Sequence, residues 1–245
     1  MAVTHLLSPA DILWNILNDY GYDAESIFIE EGIDREMILK PGVRIAQGRV
    51  DSLWSKVNEL IDDPCFGLRG VKFWHPSHFN ALGYAWLASS TLREALNRAA
   101  RYAHIIGEDR ETRLEDTTEG LTVTLSHSLK LPAHMDLSMS ILMSACRLNY
   151  GADLNPVDVN FIHSKLACAE EYYSYFNVPV KFNADYDSLT LPADAVDRRL
   201  PIGNPHLANI NDQYIISSFW RAHKRWTKIS PSENRKLEQN IYEET

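Results

Sequence analysis

The spacing of apolar residues changes along this chain, and that change restricts the fold more than any single motif. In "TLREALNRAARYAHII", Leu92, Ala95, Leu96, Ala99, Tyr102, Ala103 and Ile106 recur at three- and four-residue intervals. This is the buried stripe of a core-packed helix, with Arg93, Asn97, Arg98 and Arg101 mostly toward solvent. Thr91 and Glu94 have the T-x-x-E spacing that caps a helix start. Further on, "GLTVTLSH" places Leu121, Val123, Leu125 and His127 at every second position, which is the period of a strand. "EDRETRLE" is its weaker partner across a turn at Thr117 to Gly120.

The same two periods assign the rest. Short helices are expected over the first forty residues. One is capped by Ser8, carries Pro9 at its first position and buries Ile12, Leu13, Ile16 and Leu17. Others run from Ala24 to Glu31 and through a turn before Pro41. Val50, Leu53, Trp54, Val57, Leu60 and Ile61 predict a further helix, broken at Pro64 in "DDPCFGLRG". Phe79, Leu82, Gly83 and Trp86 share a helical face. A helix is expected from His134 to Tyr150, and "PVDVNFIH" returns to alternation, with Val157, Val159, Phe161 and His163 on one side. A tyrosine-rich helix (Glu170 to Phe176) follows, then strands through Val180 and Phe182 and from Ser188 to Leu191. Helices first, then antiparallel strands interleaved with helices, argue for a single α+β domain rather than a doubly wound parallel sheet.

Composition narrows the function. The chain has 245 residues, 45% apolar and 23% charged, as in an ordinary globular protein. Its net charge of −9 argues against general nucleic-acid binding, because phosphate contacts need excess Lys and Arg. A basic group at Arg221, Lys224, Arg225 and Lys228 is ringed by acids and reads as a solvated helix face. No apolar run approaches the length of a membrane span, and Met1 to Ala10 lacks the pattern of a secretory signal. Cys65, Cys146 and Cys168 show no CxxC spacing and are expected as reduced thiols of a cytoplasmic protein.

Marks of catalysis are missing. There is no GxGxxG, P-loop or G-x-S-x-G, so no cofactor is expected and an enzyme is disfavoured. His75 and His78 have HxxH spacing but no third ligand nearby, and read as polar surface histidines rather than a metal site. His127 and His163 each extend the apolar face of a strand. Both are expected to turn inward, either as half-buried rim histidines or as hydrogen-bonding groups in a ligand pocket.

Three segments carry a resemblance: "DDPCFGLRG", "LGYAWLASSTLREALNRAARY", and "NPVDVNFIHSKLACAEEYYSYFNVPVKFNADYDSLTLP". Together they resemble the N-terminal regulatory domain of AraC/XylS-type transcription regulators, in the branch with an arabinose-binding-like domain, from roughly Ile16 to Leu207. One departure is that "SKLACAEE" lacks the proline common after the histidine matching His163. The resemblance implies a cytoplasmic bacterial sensor that binds a small organic effector and dimerises. It implies promoter DNA as a partner only through a helix-turn-helix domain that is not in this chain, with RNA polymerase as a further partner of the full-length regulator. The expected division is a sensing domain over 1–207 and a helix and linker over 208–245. Expected dimer surfaces are Tyr214 to Trp226, where Ile216, Phe219 and Trp220 crowd together, and the helix from His134 to Tyr150. A standalone module that pairs with a full-length regulator is the alternative.

A sensor pocket should be apolar, with a few convergent polar groups. Aromatic residues surround the glycine-aromatic helix: Phe73, Trp74, Phe79, Tyr84, Trp86 and Tyr102. Arg69, His78, His104, His127 and His163 are the polar or cationic candidates. This set suits an effector with an apolar body and an acidic or polar end.

Overall fold

The structure is a computed structural model that describes residues 3–227, with side chains described as far as residue 218. The N-terminal layer is helical. Strand β1 (Thr4–Leu6) leads into α1 (Ala10–Asp19), α2 (Ala24–Glu30) and α3 (Arg35–Leu39). Strand β2 (Arg44–Ala46) then precedes α4 (Gln47–Leu60). Asp23 and Asp34 cap α2 and α3 by accepting from the backbone N–H groups of Ser26 and Met37. The apolar stripe of α1 is buried as its spacing requires: Ile12, Leu13, Ile16 and Leu17. Ser8 does not cap that helix. Its hydroxyl donates to the His78 carbonyl at 2.7 Å, which ties the helix start to a distant turn. β1 and β2 pair antiparallel, Thr4 opposite Ala46 and Leu6 opposite Arg44. Neither strand was expected, because three residues are too few to show a period.

A short helix α5 (Phe66–Arg69) and two 3₁₀ turns (Gly70–Phe73 and Pro76–Phe79) lead to α6 (Ala81–Leu87) and α7 (Leu92–Ile106). The Thr91 hydroxyl oxygen accepts from Glu94 N–H, and the Glu94 carboxylate accepts in return from Ser90 N–H at 3.0 Å. The reciprocal cap therefore forms one residue earlier than its ideal form. Two glycines permit close backbone approach. A Cβ at Gly67 would meet the Ala133 carbonyl oxygen at 2.0 Å, and one at Gly83 the Pro76 carbonyl oxygen at 1.8 Å.

The second half carries β3 (Glu111–Asp116), β4 (Gly120–Ser126), α8 (Pro132–Tyr150), β5 (Asp158–Asn160) and α9 (Ala169–Phe176). It ends with β6 (Val180–Lys181), β7 (Asp187–Pro192), α10 (Ala193–Val196) and α11 (Pro205–Thr227). The five-stranded sheet has the order β3-β4-β7-β5-β6. Its pairs are antiparallel except β5 with β6, which run parallel because α9 crosses over between them. The α+β expectation holds, with this one parallel edge added.

α8 lies at the centre, burying Met139, Met143 and Cys146 among others. Sheet, α7, α8 and α9 share one core, to which Phe161, Tyr172 and Phe176 bring fully buried rings worth about 1.5–3 kcal/mol each for apolar burial. A second core lies within α1–α4 and reaches Ala133 and Leu137 of α8. Two expectations are corrected here. α8 is a core helix, so it offers no continuous free face for pairing with a second copy. Cys65 and Cys168 are joined in a disulfide with Cα atoms 6.3 Å apart. Their separation of 103 residues left no local spacing by which to read it; Cys146 is free and buried.

α11 starts at Pro205, just before the expected boundary, and packs against α6 through Ile215 and Ile216, beside Leu82, Ala85 and Tyr102. Leu207, Ile210 and Tyr214 are exposed along it. The expected crowding of Phe219 and Trp220, and the basic group from Arg221 to Lys228, lie outside the described side chains.

Candidate ligand cavity

Where the two cores meet, side chains do not fill the space. A half-open cavity of about 190 Å³ is bounded by β1, α1, α4, α6, α7, α8, the start of β3 and the end of β4. Apolar cavities of about 150 Å³ take a benzene-sized molecule, so this one admits a small organic ligand. The wall is mostly apolar: Leu13, Leu53, Trp54, Trp74, Phe79, Trp86, Ile141 and Leu142 contribute to it. Leu13, Leu53, Trp54, Trp86, Ile141 and Leu142 come from α-helices, Phe79 from a 3₁₀ turn and Trp74 from the extended link between the two 3₁₀ turns. The Trp86 ring is fixed by donating its Nε1–H to the Ala145 carbonyl at 3.0 Å.

Polar groups gather at one end. His5 comes from β1, Arg110 from the turn between α7 and β3, His127 from the residue after β4, and His134 from the first turn of α8. An Arg110 Nη donates to His134 Nε2 at 2.7 Å. That imidazole must therefore accept at Nε2 and carry its proton on Nδ1. The His127 and His134 rings lie 4.2 Å apart, and Trp54 stacks obliquely on His134 at 4.7 Å. His5 Nε2 lies 2.7 Å from Asp109 Oδ1, and that carboxylate partly offsets the downward pull on the imidazole.

Burial sets the charge of this end. It pulls His5 and His127 down to about 4, with the Arg110 charge adding to the effect. His134 is held well below the usual histidine range for the same two reasons, in the same order. Three neutral imidazoles thus surround one guanidinium. Burial also lowers Arg110, against the countering charge of Asp109, but a guanidinium stays protonated. Several polar atoms at this end are shut off from solvent and have no hydrogen-bond partner among the described residues. They are Arg110 Nε, both nitrogens of His127, His134 Nδ1, and Trp74 Nε1 on the adjoining wall. Each such atom costs roughly 1–3 kcal/mol when nothing pairs with it.

The structure brings Phe79, Trp86 and His127 to this cavity, together with Trp74. The other candidates stand elsewhere. Arg69 is half-exposed in ion pairs with Asp63 and Glu171 that join α5 to α9. Phe73 packs on the N-terminal core beneath Lys72. His78 Nε2 meets Asp11 at 3.1 Å, and its Nδ1 accepts from His75 N–H, so the HxxH pair caps a 3₁₀ turn. Tyr84 is 47% exposed, Tyr102 lies in the small core beneath α11, and His104 is exposed on α7. His163 does turn inward, but to Asp136 of α8 at 3.0 Å rather than to the cavity. Burial alone would lower it; the hydrogen bond and charge of Asp136 outweigh that and raise it. Tyr172 donates to the other Asp136 oxygen at 2.7 Å.

His5, Trp54, Arg110 and His134 were missed. Arg110 is embedded in "GEDRET", which reads as solvated charge, and the other three lie far away in the chain. The only available signal was His134 at the start of an otherwise apolar helix, directly after Pro132.

An apolar cavity with polar groups at one end is the architecture of a small-molecule-binding domain. Residues 21–200 match the family model for the arabinose-binding domain of AraC transcription regulators, at their N-terminus. The chain belongs to that family. A relative, the ornithine utilization regulator of Pseudomonas aeruginosa, is 25% identical over 209 residues, covering 83% of this chain and 61% of its own length. The crystal structure of the transcriptional regulator CdpR from Pseudomonas aeruginosa superposes with a TM-score of 0.60 at 16% identity. It covers 82% of this chain and 61% of that one, and it shares the fold. The chain thus spans about three-fifths of each of these regulators. Both are transcription regulators, which is not an enzyme family, and the chain corresponds to a regulatory domain of that type.

Proposed function

We propose that this chain is the effector-sensing part of a transcription regulator and that its cavity is the effector site. The observation that carries the reading is the unpartnered polar end of an otherwise apolar cavity at the junction of the two cores. A ligand there touches β1, α4, α7 and α8 together, so its binding couples the N-terminal layer to the sheet. α6 lines the same cavity and packs against α11, which leads toward the C-terminus. Ligand occupancy would reach the rest of a longer regulator along that route. In this reading the protein is cytoplasmic and forms a homodimer. It acts on promoter DNA only through a further domain, where RNA polymerase is a second partner, and residues 208–245 lead toward that domain. None of the described helices is long and apolar enough to cross a membrane.

The test is a thermal-shift screen of small acids, amino acids and lipids. A ligand of the native state raises stability by RT ln(1 + [L]/Kd), about 2.7 kcal/mol at a hundredfold excess. A stabilising class should emerge, and Ala99→Leu, which pushes a larger side chain into the cavity, should abolish its effect. A stabiliser whose effect survives that substitution binds elsewhere and sinks the site assignment.

A further inference from the structure

Building on that site, we infer that the effector is an apolar monocarboxylate whose carboxylate is received by Arg110, His127 and His134. No carboxylate lies within ion-pairing distance of Arg110 among the described side chains; its neighbour Asp109 accepts instead from Ser128 N–H at 3.0 Å and Ser128 Oγ at 2.7 Å. The guanidinium therefore keeps a buried Nε–H with no acceptor. His134 adds a second free donor, because accepting from Arg110 at Nε2 leaves its proton on the unpartnered Nδ1. Neutral His127, buried to 5% exposure with the Leu129 backbone beside it, places a second imidazole at this end, 4.2 Å ring to ring from His134. The free guanidinium Nε–H lies at the same end as these two imidazoles, and a carboxylate has about four acceptor positions with which to meet N–H groups there.

Other ligand classes fit worse. An ammonium group needs an anion, and among the described residues the one carboxylate bordering the cavity, Glu111, is turned toward Arg113 at 2.8 Å. Ornithine, the compound in the relative's name, carries two amino groups and would bury at least one of them beside Arg110. A sugar needs hydrogen-bonding groups along its whole length, but beyond this end the wall is mostly apolar, with the Trp74 indole N–H as a lone free donor among the described residues. A neutral apolar molecule would leave the guanidinium and the imidazoles unpaired. The body of the ligand lies along Trp54, Trp74, Trp86 and Leu142, which suits an alkyl chain or one aromatic ring.

The experiment is calorimetric titration of this chain near neutral pH with matched probes: octanoate, octanamide and octanol, phenylpropanoate and its amide, and ornithine. At least one acid should bind about tenfold or more tightly than its own amide or alcohol, and ornithine should not compete with it. Arg110→Gln should erase that preference while leaving amide or alcohol binding within a few-fold. The acid-to-amide ratio of the unaltered chain carries the test if that variant fails to fold, and His127→Leu, which should weaken the acid more than the amide, is the second variant. Amides or alcohols that bind as well as the acids would overturn the carboxylate assignment and leave the sensor reading standing. Silence from all the probes while another class binds in the cavity would do the same. Silence together with an empty result from the broad thermal-shift screen would overturn both.

Discussion

Lowering the pH from about 7 to about 5 should destabilise this protein through its buried imidazoles. His5 and His127 titrate near 4 in the native state. In the unfolded chain they return to about 6.5. Between those values the unfolded chain holds more protons than the folded one, so stability falls as the pH drops through the window. At about pH 5 nearly every unfolded histidine is protonated while the native one is mostly neutral, and each such group has withdrawn roughly 2 kcal/mol relative to about pH 7. Two histidines give about 4 kcal/mol, and His134 moves in the same direction. For a chain of this size that lowers the melting temperature by on the order of 10 °C. His163 works in the opposite sense: its native value is raised, so its contribution is present below the unfolded value and lost as pH rises through the folded one. Comparing the unaltered chain with His127→Leu cancels the groups remote from His127, while His134, which the His127 charge helps to lower, shifts with it. Their stability-against-pH curves, from chemical denaturation, should diverge by roughly 2 kcal/mol across the window, with the variant flatter. Parallel curves would show that His127 is not buried and neutral in the native state.

Three further outcomes are expected. Gly67→Ala drives a methyl group into the Ala133 carbonyl and should cost at least about 1–3 kcal/mol, as overpacking does, read as a lower denaturation midpoint. A milder variant would mean that α5 and α8 pack less tightly than described. Reduction of the Cys65–Cys168 bond should lower the melting temperature, because it frees a loop of 103 residues worth up to about 4.7 kcal/mol in the chain-entropy treatment. Identical melting curves with and without a thiol reductant, after mass spectrometry confirms the bond in the untreated sample, would refute that. The chain alone should show no sequence-dependent promoter binding by fluorescence anisotropy at moderate salt, and tight specific binding would contradict the division of labour proposed above.

The periods in the sequence located most of the fold. α1, α7 and β4 each bury the residues their spacing singles out, because a single face meets the core in each. β1 and β2 escaped because pairing between residues 4–6 and 44–46 is set by tertiary contacts, not by local pattern. The disulfide escaped for the same reason. The cavity was legible only where an element's period pointed into it, as for Phe79, Trp86 and His127. Aromatic density around residues 73–86 misdirected the rest: Phe73 and Tyr84 are near the cavity in sequence but face the N-terminal core and the solvent. Strand alternation correctly turned His163 inward, but its partner is Asp136, an acid inside a buried helix that no period marks. Arg110 belongs to a turn, where there is no period to read.

The decisive measurement is a crystal structure of this chain with its best stabilising acid bound. Electron density for the ligand is expected inside the cavity, its body along Trp54 and Trp86 and its carboxylate within hydrogen-bonding distance of Arg110. Ligand density at another surface, with the cavity empty and Arg110 still unpaired, would contradict that placement.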